Sequence, residues 1–140
     1  MLEVSAFGPL AQSELLTLTA GEHVVAFTAR VESDGETLRV VAITPTGQRL
    51  FSITRQGNQL ITEPGPLWPA QMPLAAVWRD FEMTHARANA QLGADWRRIE
   101  QNGGEEWWFR QQRQAQIVRE DGKITLIRPE YQLSIEVLPE

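Results

Sequence analysis

Few residues in this chain could do acid–base, nucleophilic or metal chemistry, and their spacing does not bring them together. Imidazole comes only from His23 and His85, and neither stands in an H-x-x-x-H or H-x-H spacing that would set two ligands on one face. Cysteine is absent, which excludes disulfides, thiolate zinc sites and thiol catalysis. Neither a metal nor a cofactor is expected. Ser5, Ser13, Ser33, Ser52 and Ser134 lack the G-x-S-x-G elbow that exposes a nucleophilic hydroxyl on a strained turn. The adjacent carboxylates Glu105-Glu106 and Glu120-Asp121 would point to opposite faces of a strand, so they read as surface charge rather than a catalytic pair. A thioesterase or hydrolase would need His23 or His85 within hydrogen-bonding reach of a serine and a carboxylate in a cleft. The spacing does not suggest it, and the chain reads as a non-enzyme.

The tryptophans carry more information. Trp68, Trp78, Trp96, Trp107 and Trp108 stand beside a single tyrosine. Trp107-Trp108 puts one indole on each face of a strand, so that one of the pair is left at a rim or in a cavity unless both faces are covered. Arg97, Arg98, Arg110 and Arg113 interleave with Trp96, Trp107, Trp108 and Phe109, as in a stacking platform for single-stranded nucleic acid. Asp95, Glu100, Glu105 and Glu106 lie among them, however, and cross-strand ion pairs are the reading preferred.

These residues must be positioned mainly by strands. From Glu14 to Glu63 short alternating runs follow one another with turn residues between: Glu14 to Thr19, His23 to Glu32, Thr37 to Thr44, Gln48 to Arg55 and Gln59 to Glu63. Val25, Phe27, Ala29 and Val31 form one half-buried face. Asp34-Gly35 and, later, Asp121-Gly122 carry the chemistry of tight hairpins with positive φ at both central positions. The three prolines of Pro64-Gly65-Pro66-Leu67-Trp68-Pro69 cannot continue a ladder. Beyond them Leu74, Val77, Trp78 and Phe81 fall at i, i+3, i+4 and i+7, which predicts a helix opened by Pro73. The helical region, 70–92, either continues through His85, Ala88 and Leu92 or breaks near Glu82-Met83-Thr84, with Gly93 as its end. The period then returns to two: Trp96 to Gln101, Glu105 to Gln111, Gln114 to Glu120, Lys123 to Arg128 and a last strand through Tyr131, Leu133, Ile135 and Val137.

The fold class expected is therefore mainly β (α+β): a curved antiparallel sheet or incomplete barrel of about 8–11 strands with the helical insertion on its concave side. One domain spans 1–140, with 1–13 irregular, 14–63 and 95–138 as β-meanders sharing one sheet. The length of 140 residues, with 42% hydrophobic and 22% charged residues, suffices for a core without staples. A net charge of −5, from 13 basic and 18 acidic residues, speaks against a phosphate-backbone binder. Twelve of the 13 cations are arginine and one is Lys123, which favours bidentate contacts with carboxylates and contacts with rings. No apolar run reaches the roughly 18 to 20 residues of a membrane span, and the N-terminus lacks signal-peptide layout, so the chain as written reads as a soluble domain.

The segment Leu38-Arg39-Val40-Val41-Ala42-Ile43-Thr44-Pro45-Thr46-Gly47-Gln48-Arg49-Leu50-Phe51, a strand, a T-P-x-G turn and an R-L-F strand, resembles a bacterial family of uncharacterised outer-membrane lipoproteins found beside aryl polyene biosynthesis genes. The likeness continues through the Trp96-Arg97 strand and the closing Tyr131 to Glu136 strand, over roughly residues 15 to 138. Such proteins look like relatives of the periplasmic lipoprotein carrier LolA and the outer-membrane receptor LolB, whose incomplete barrel is closed by helices over a hydrophobic cavity. The resemblance implies a domain at the periplasmic face of the outer membrane that accepts or passes an acyl chain, a lipid or a lipoprotein. Membrane contact would come through an N-terminal lipid anchor, and envelope proteins are further possible partners. The signal peptide and acylated cysteine of a lipoprotein are not in the sequence, so on this resemblance the anchor has been removed and Met1 is not the native start.

The function expected is binding of an apolar ligand between the sheet and the helix stripe, with Phe27, Val40, Phe51, Ile53, Leu74, Val77, Trp78 and Phe81 as lining residues. The alternative is a structural or protein-interaction module of an envelope assembly, with a solidly packed barrel.

Overall fold

The computed structural model describes residues 2–139. Ten strands form one antiparallel sheet: β1 (Leu10–Ala20), β2 (His23–Ser33), β3 (Thr37–Ile43), β4 (Arg49–Gln56), β5 (Gln59–Pro64), β6 (Trp96–Gln101), β7 (Gly104–Phe109), β8 (Gln112–Glu120), β9 (Lys123–Ile127) and β10 (Gln132–Val137). Their order across the sheet is β5-β4-β3-β2-β1-β10-β9-β8-β7-β6. The two meanders are joined by β1 pairing with β10, with Leu16 opposite Ile135. The edge strands β5 and β6 are linked by the one helix, α1 (Leu74–His85). This is the expected open, curved sheet with a helix on its concave side.

Alternation places Phe27, Ala29 and Val31 of β2, Val40 and Ala42 of β3, Phe51 and Ile53 of β4, Ile117 of β8 and Leu126 of β9 in one core. Gly104 is required by crowding: a Cβ there would lie 1.9 Å from the Ile117 carbonyl oxygen. In both Asp-Gly hairpins only the glycine takes positive φ, at 95° for Gly35 and 73° for Gly122. The expectation of two left-handed central residues is thus corrected. In the first hairpin the Asp34 carboxylate instead accepts the amides of Glu36 and Thr37, each at 2.8 Å.

Two further boundaries depart from expectation. Residues 1–13 are not irregular throughout: β1 begins at Leu10, and Val4–Ala6 form a 3-10 turn. Leu2, Val4 and Phe7 are buried, with Phe7 against Trp78 and Phe81 and the Leu2 amide on the Glu82 carboxylate. Met1 lies outside the described residues. The helix stops at His85 rather than at Gly93, because its last turn is drawn into other bonds. Thr84 Oγ1 donates back to the Asp80 carbonyl at 2.8 Å, and the Arg87 amide leaves the helix to reach the Ala6 carbonyl at 3.0 Å. Arg98 takes the carbonyls of Ala86 and Arg87, and local apolar periodicity cannot register such long-range competitors.

Candidate functional site

Between α1 and the concave face lies a cavity of about 110 Å³. Its walls are Phe27, Val40, Phe51 and Ile53 from the sheet and Val77, Trp78 and Phe81 from the helix. Seven of the eight residues expected to meet a ligand therefore surround one space. Leu74 does not: it is buried in the core and does not reach the cavity. Sequence patterning could not separate it, since a core residue and a lining residue share the same period and polarity. Leu16, Leu18 and Leu133 add further apolar wall. Trp68 is fixed by an Nε1 bond to the Met72 carbonyl at 2.8 Å and packs on Phe51 with ring centroids 4.9 Å apart.

Polar groups enter this wall in two clusters, both built on the helix. In the first, His85 Nε2 lies 2.7 Å from Glu14 Oε2, and His85 Nδ1 lies 2.8 Å from Thr84 Oγ1 and 3.1 Å from the Phe81 carbonyl. The imidazole is stacked on Phe81, centroids 3.9 Å apart. A hydroxyl, an imidazole and a carboxylate are thus in contact, but the hydroxyl is a threonine's, its proton is committed to the helix backbone, and it is 2% exposed. No serine is among the partners of His85, and His23 is exposed at the start of β2. In the second cluster Asp80 receives Arg128 at 2.8 and 2.5 Å and the Tyr131 hydroxyl.

Both clusters shift their acids by burial against partners. Burial raises the Glu14 carboxyl, but the hydrogen bond and charge of His85 and the Gln12 amide outweigh it, so its value falls below the ordinary 4.5. Asp80 goes the other way: burial pushes it up, against the pull of Arg128 and Tyr131. Glu82 is likewise raised by burial, opposed by the Leu2 amide.

A protein-family model matches residues 11–139. The chain belongs to the DUF3261 family of proteins of unknown function. No curated protein matches it. The DUF3261 match takes in both polar clusters and the cavity wall but not the segment 2–8 that packs on α1.

The DUF3261 chain also corrects the reading of Glu105 as surface charge. Glu105 is 5% exposed and points inward, accepting Arg119 at 2.6 and 3.0 Å and Arg98 at 2.9 Å. Glu106, facing out, pairs with Arg113 at 2.7 Å. Just beyond the ends of β6 and β7, Arg110 pairs with Asp95 at 3.7 Å on the exposed surface, while Arg97 lies over the Trp108 ring. Trp107 is buried, and the alternation of the strand turns the Trp108 indole to the other face. The signal for Glu105 was its parity: it shares a face with Trp107, two residues on. Among the described residues no group of three metal-ligating side chains occurs.

The Glu14 shift predicts a pH effect. A carboxyl whose folded value lies below its unfolded one adds stability that is full above the unfolded value and is lost as pH falls through the folded value. Native and Glu14→Gln proteins should differ by about 1.5 to 3 kcal/mol in urea unfolding at neutral pH and converge as acidification passes the lowered folded value of Glu14. The opposite contributions of Asp80 and Glu82 are common to both proteins and cancel in the difference. A gap that persists undiminished into strong acid would refute the pairing.

Proposed function

We propose that this domain is a non-enzymatic binding module, the periplasm-facing part of an outer-membrane lipoprotein, that binds or transfers an acyl chain, a lipid or a lipoprotein. The observation that carries the reading is the apolar cavity under α1, walled by Phe27, Val40, Phe51, Ile53, Val77, Trp78 and Phe81. An apolar recess with a few convergent polar groups suits an alkyl ligand. The polar groups on its wall are engaged with one another, which favours holding a ligand over attacking one. Kinship with LolA and LolB, and a place beside aryl polyene synthesis, belong to the same proposal and fit an open sheet crossed by a helix.

A second reading has its own observation. Pairing of β2 with β3 ends at Thr28 opposite Ile43, so 23–27 have no strand neighbour on that side, and Val24 and Val25 are 64% and 51% exposed. An unpaired apolar edge is a docking element for a partner strand in an envelope assembly.

Native mass spectrometry after incubation with a Gram-negative envelope lipid extract separates the two. The acyl reading expects a one-to-one acyl-containing adduct, lost in Ala76→Trp, where a partly exposed helix position on the cavity wall places an indole in the space while circular dichroism stays native. Absence of an adduct with every lipid class would leave the docking module.

A further inference from the structure

Trp78 stands between two cavities, and we propose that one long unbranched alkyl chain occupies both, running past its indole; this rests on the acyl-binding reading above. The second cavity, about 310 Å³, lies on the other flank of α1. Ala75, Glu82 and Met83 of the helix, Leu60 of edge strand β5 and Trp96 of edge strand β6 border it. It therefore sits in the gap where the sheet does not close on itself.

Volume decides what the first cavity can hold alone. A dry apolar cavity of about 150 Å³ accepts benzene, so 110 Å³ takes only a short stretch of a chain. Sites for ligands of ordinary size measure about 300 to 1,000 Å³; the second space, at about 310 Å³, stands at the lower edge of that range alone, and the first adds the apolar depth that a longer chain needs. Among the described residues Trp78 is the one that borders both spaces, so its indole is the side chain whose position decides whether they communicate around α1. Nothing polar locks that ring: its Nε1 is buried with no hydrogen-bond partner. Its place is set by aromatic contacts, edge-on to Phe7 at 5.9 Å and stacked on Phe81 at 5.2 Å. Turning the indole aside breaks no hydrogen bond, whereas the buried polar residues of the helix, Asp80, Glu82 and Thr84, would each lose one.

The test is calorimetric titration of the whole chain with octanoate and with palmitate. Ala75 is exposed on α1 and borders the second cavity only, so Ala75→Trp fills that space from a position that tolerates bulk. It should weaken palmitate about ten-fold, equivalent to about 1.4 kcal/mol, and leave octanoate unchanged. Trp78→Phe, which keeps the stacking but shortens the wall, should strengthen palmitate relative to octanoate. Equal effects of Ala75→Trp on both ligands, or none on either, would overturn the shared path while leaving acyl binding intact. Failure of both fatty acids to bind the native chain would overturn the acyl-binding reading along with it.

Discussion

Replacing Glu105 by alanine should destabilise the domain by about 3 kcal/mol in urea or guanidinium unfolding. Removing one partner of a buried charge pair costs about 3 to 5 kcal/mol, because the surviving charge is stranded. Two arginines are stranded here, but unequally. The Arg98 side chain is 11% exposed and Arg119 is 32% exposed, so Arg119 can turn to water and the loss falls at the lower end. Both arginines also reach the end of α1, Arg98 at the Ala86 and Arg87 carbonyls and Arg119 at the Thr84 carbonyl. Cations at a helix C-terminus are favourable, and Glu105 is what orients them. Fraying of the last turn of α1 should therefore accompany the loss, seen as faster amide exchange at Thr84 and His85. A change below about 1 kcal/mol, the scale of an exposed pair, would show that this cluster is not buried in solution.

Asp80→Ala should cost about 3 to 5 kcal/mol by the same logic, since Arg128 is 15% exposed and keeps no carboxylate, its remaining partners being the Gln114 carbonyl, the weak Met83 sulfur contact and the Tyr131 side chain. An independent readout exists. Tyr131 is the only tyrosine of the chain, so an ultraviolet difference titration reports one phenol. Burial, then the charge and hydrogen bond of Asp80, raise the phenol far above its ordinary value near 10. Removing Asp80 should bring the transition down toward that value in protein that is still folded. An unchanged phenol titration would mean that Asp80 and Tyr131 are not in contact. With total stabilities of about 5 to 15 kcal/mol for such domains, either variant should be stable enough to purify but sensitive to heat.

The strands were legible because each alternates with period two between turn residues, and one shared sheet was legible in the lack of any linker between the two meanders, whereas the β1–β10 seam that joins them leaves no local trace. The start of α1 was equally legible in Leu74, Val77, Trp78 and Phe81. Its end was not, because Arg87 and Arg98 act across the fold and leave no local trace. The cavity residues were found as a set, but Leu74 shows that patterning cannot divide a wall from a core. Asp80, Glu82 and Glu105 were missed for one physical reason: a charged residue is read as solvated unless its partner is known. The partners Arg128, Leu2 and Arg119 lie 48, 80 and 14 residues away.

The pairing of β1 with β10 has a kinetic consequence. Leu16 and Ile135 meet across nearly the whole chain, whereas every other ladder joins neighbours in sequence. Each five-strand meander can zip locally, but the central seam waits for the last strand to be made, and closing so long a loop carries an entropy cost before any contact rewards it. Until then the inner face of the first meander, with Phe27, Val40 and Phe51, is open to other chains. A polypeptide with this wiring is expected to fold in two quick halves and one slow join, and the join is the interval in which its apolar face is open to aggregation.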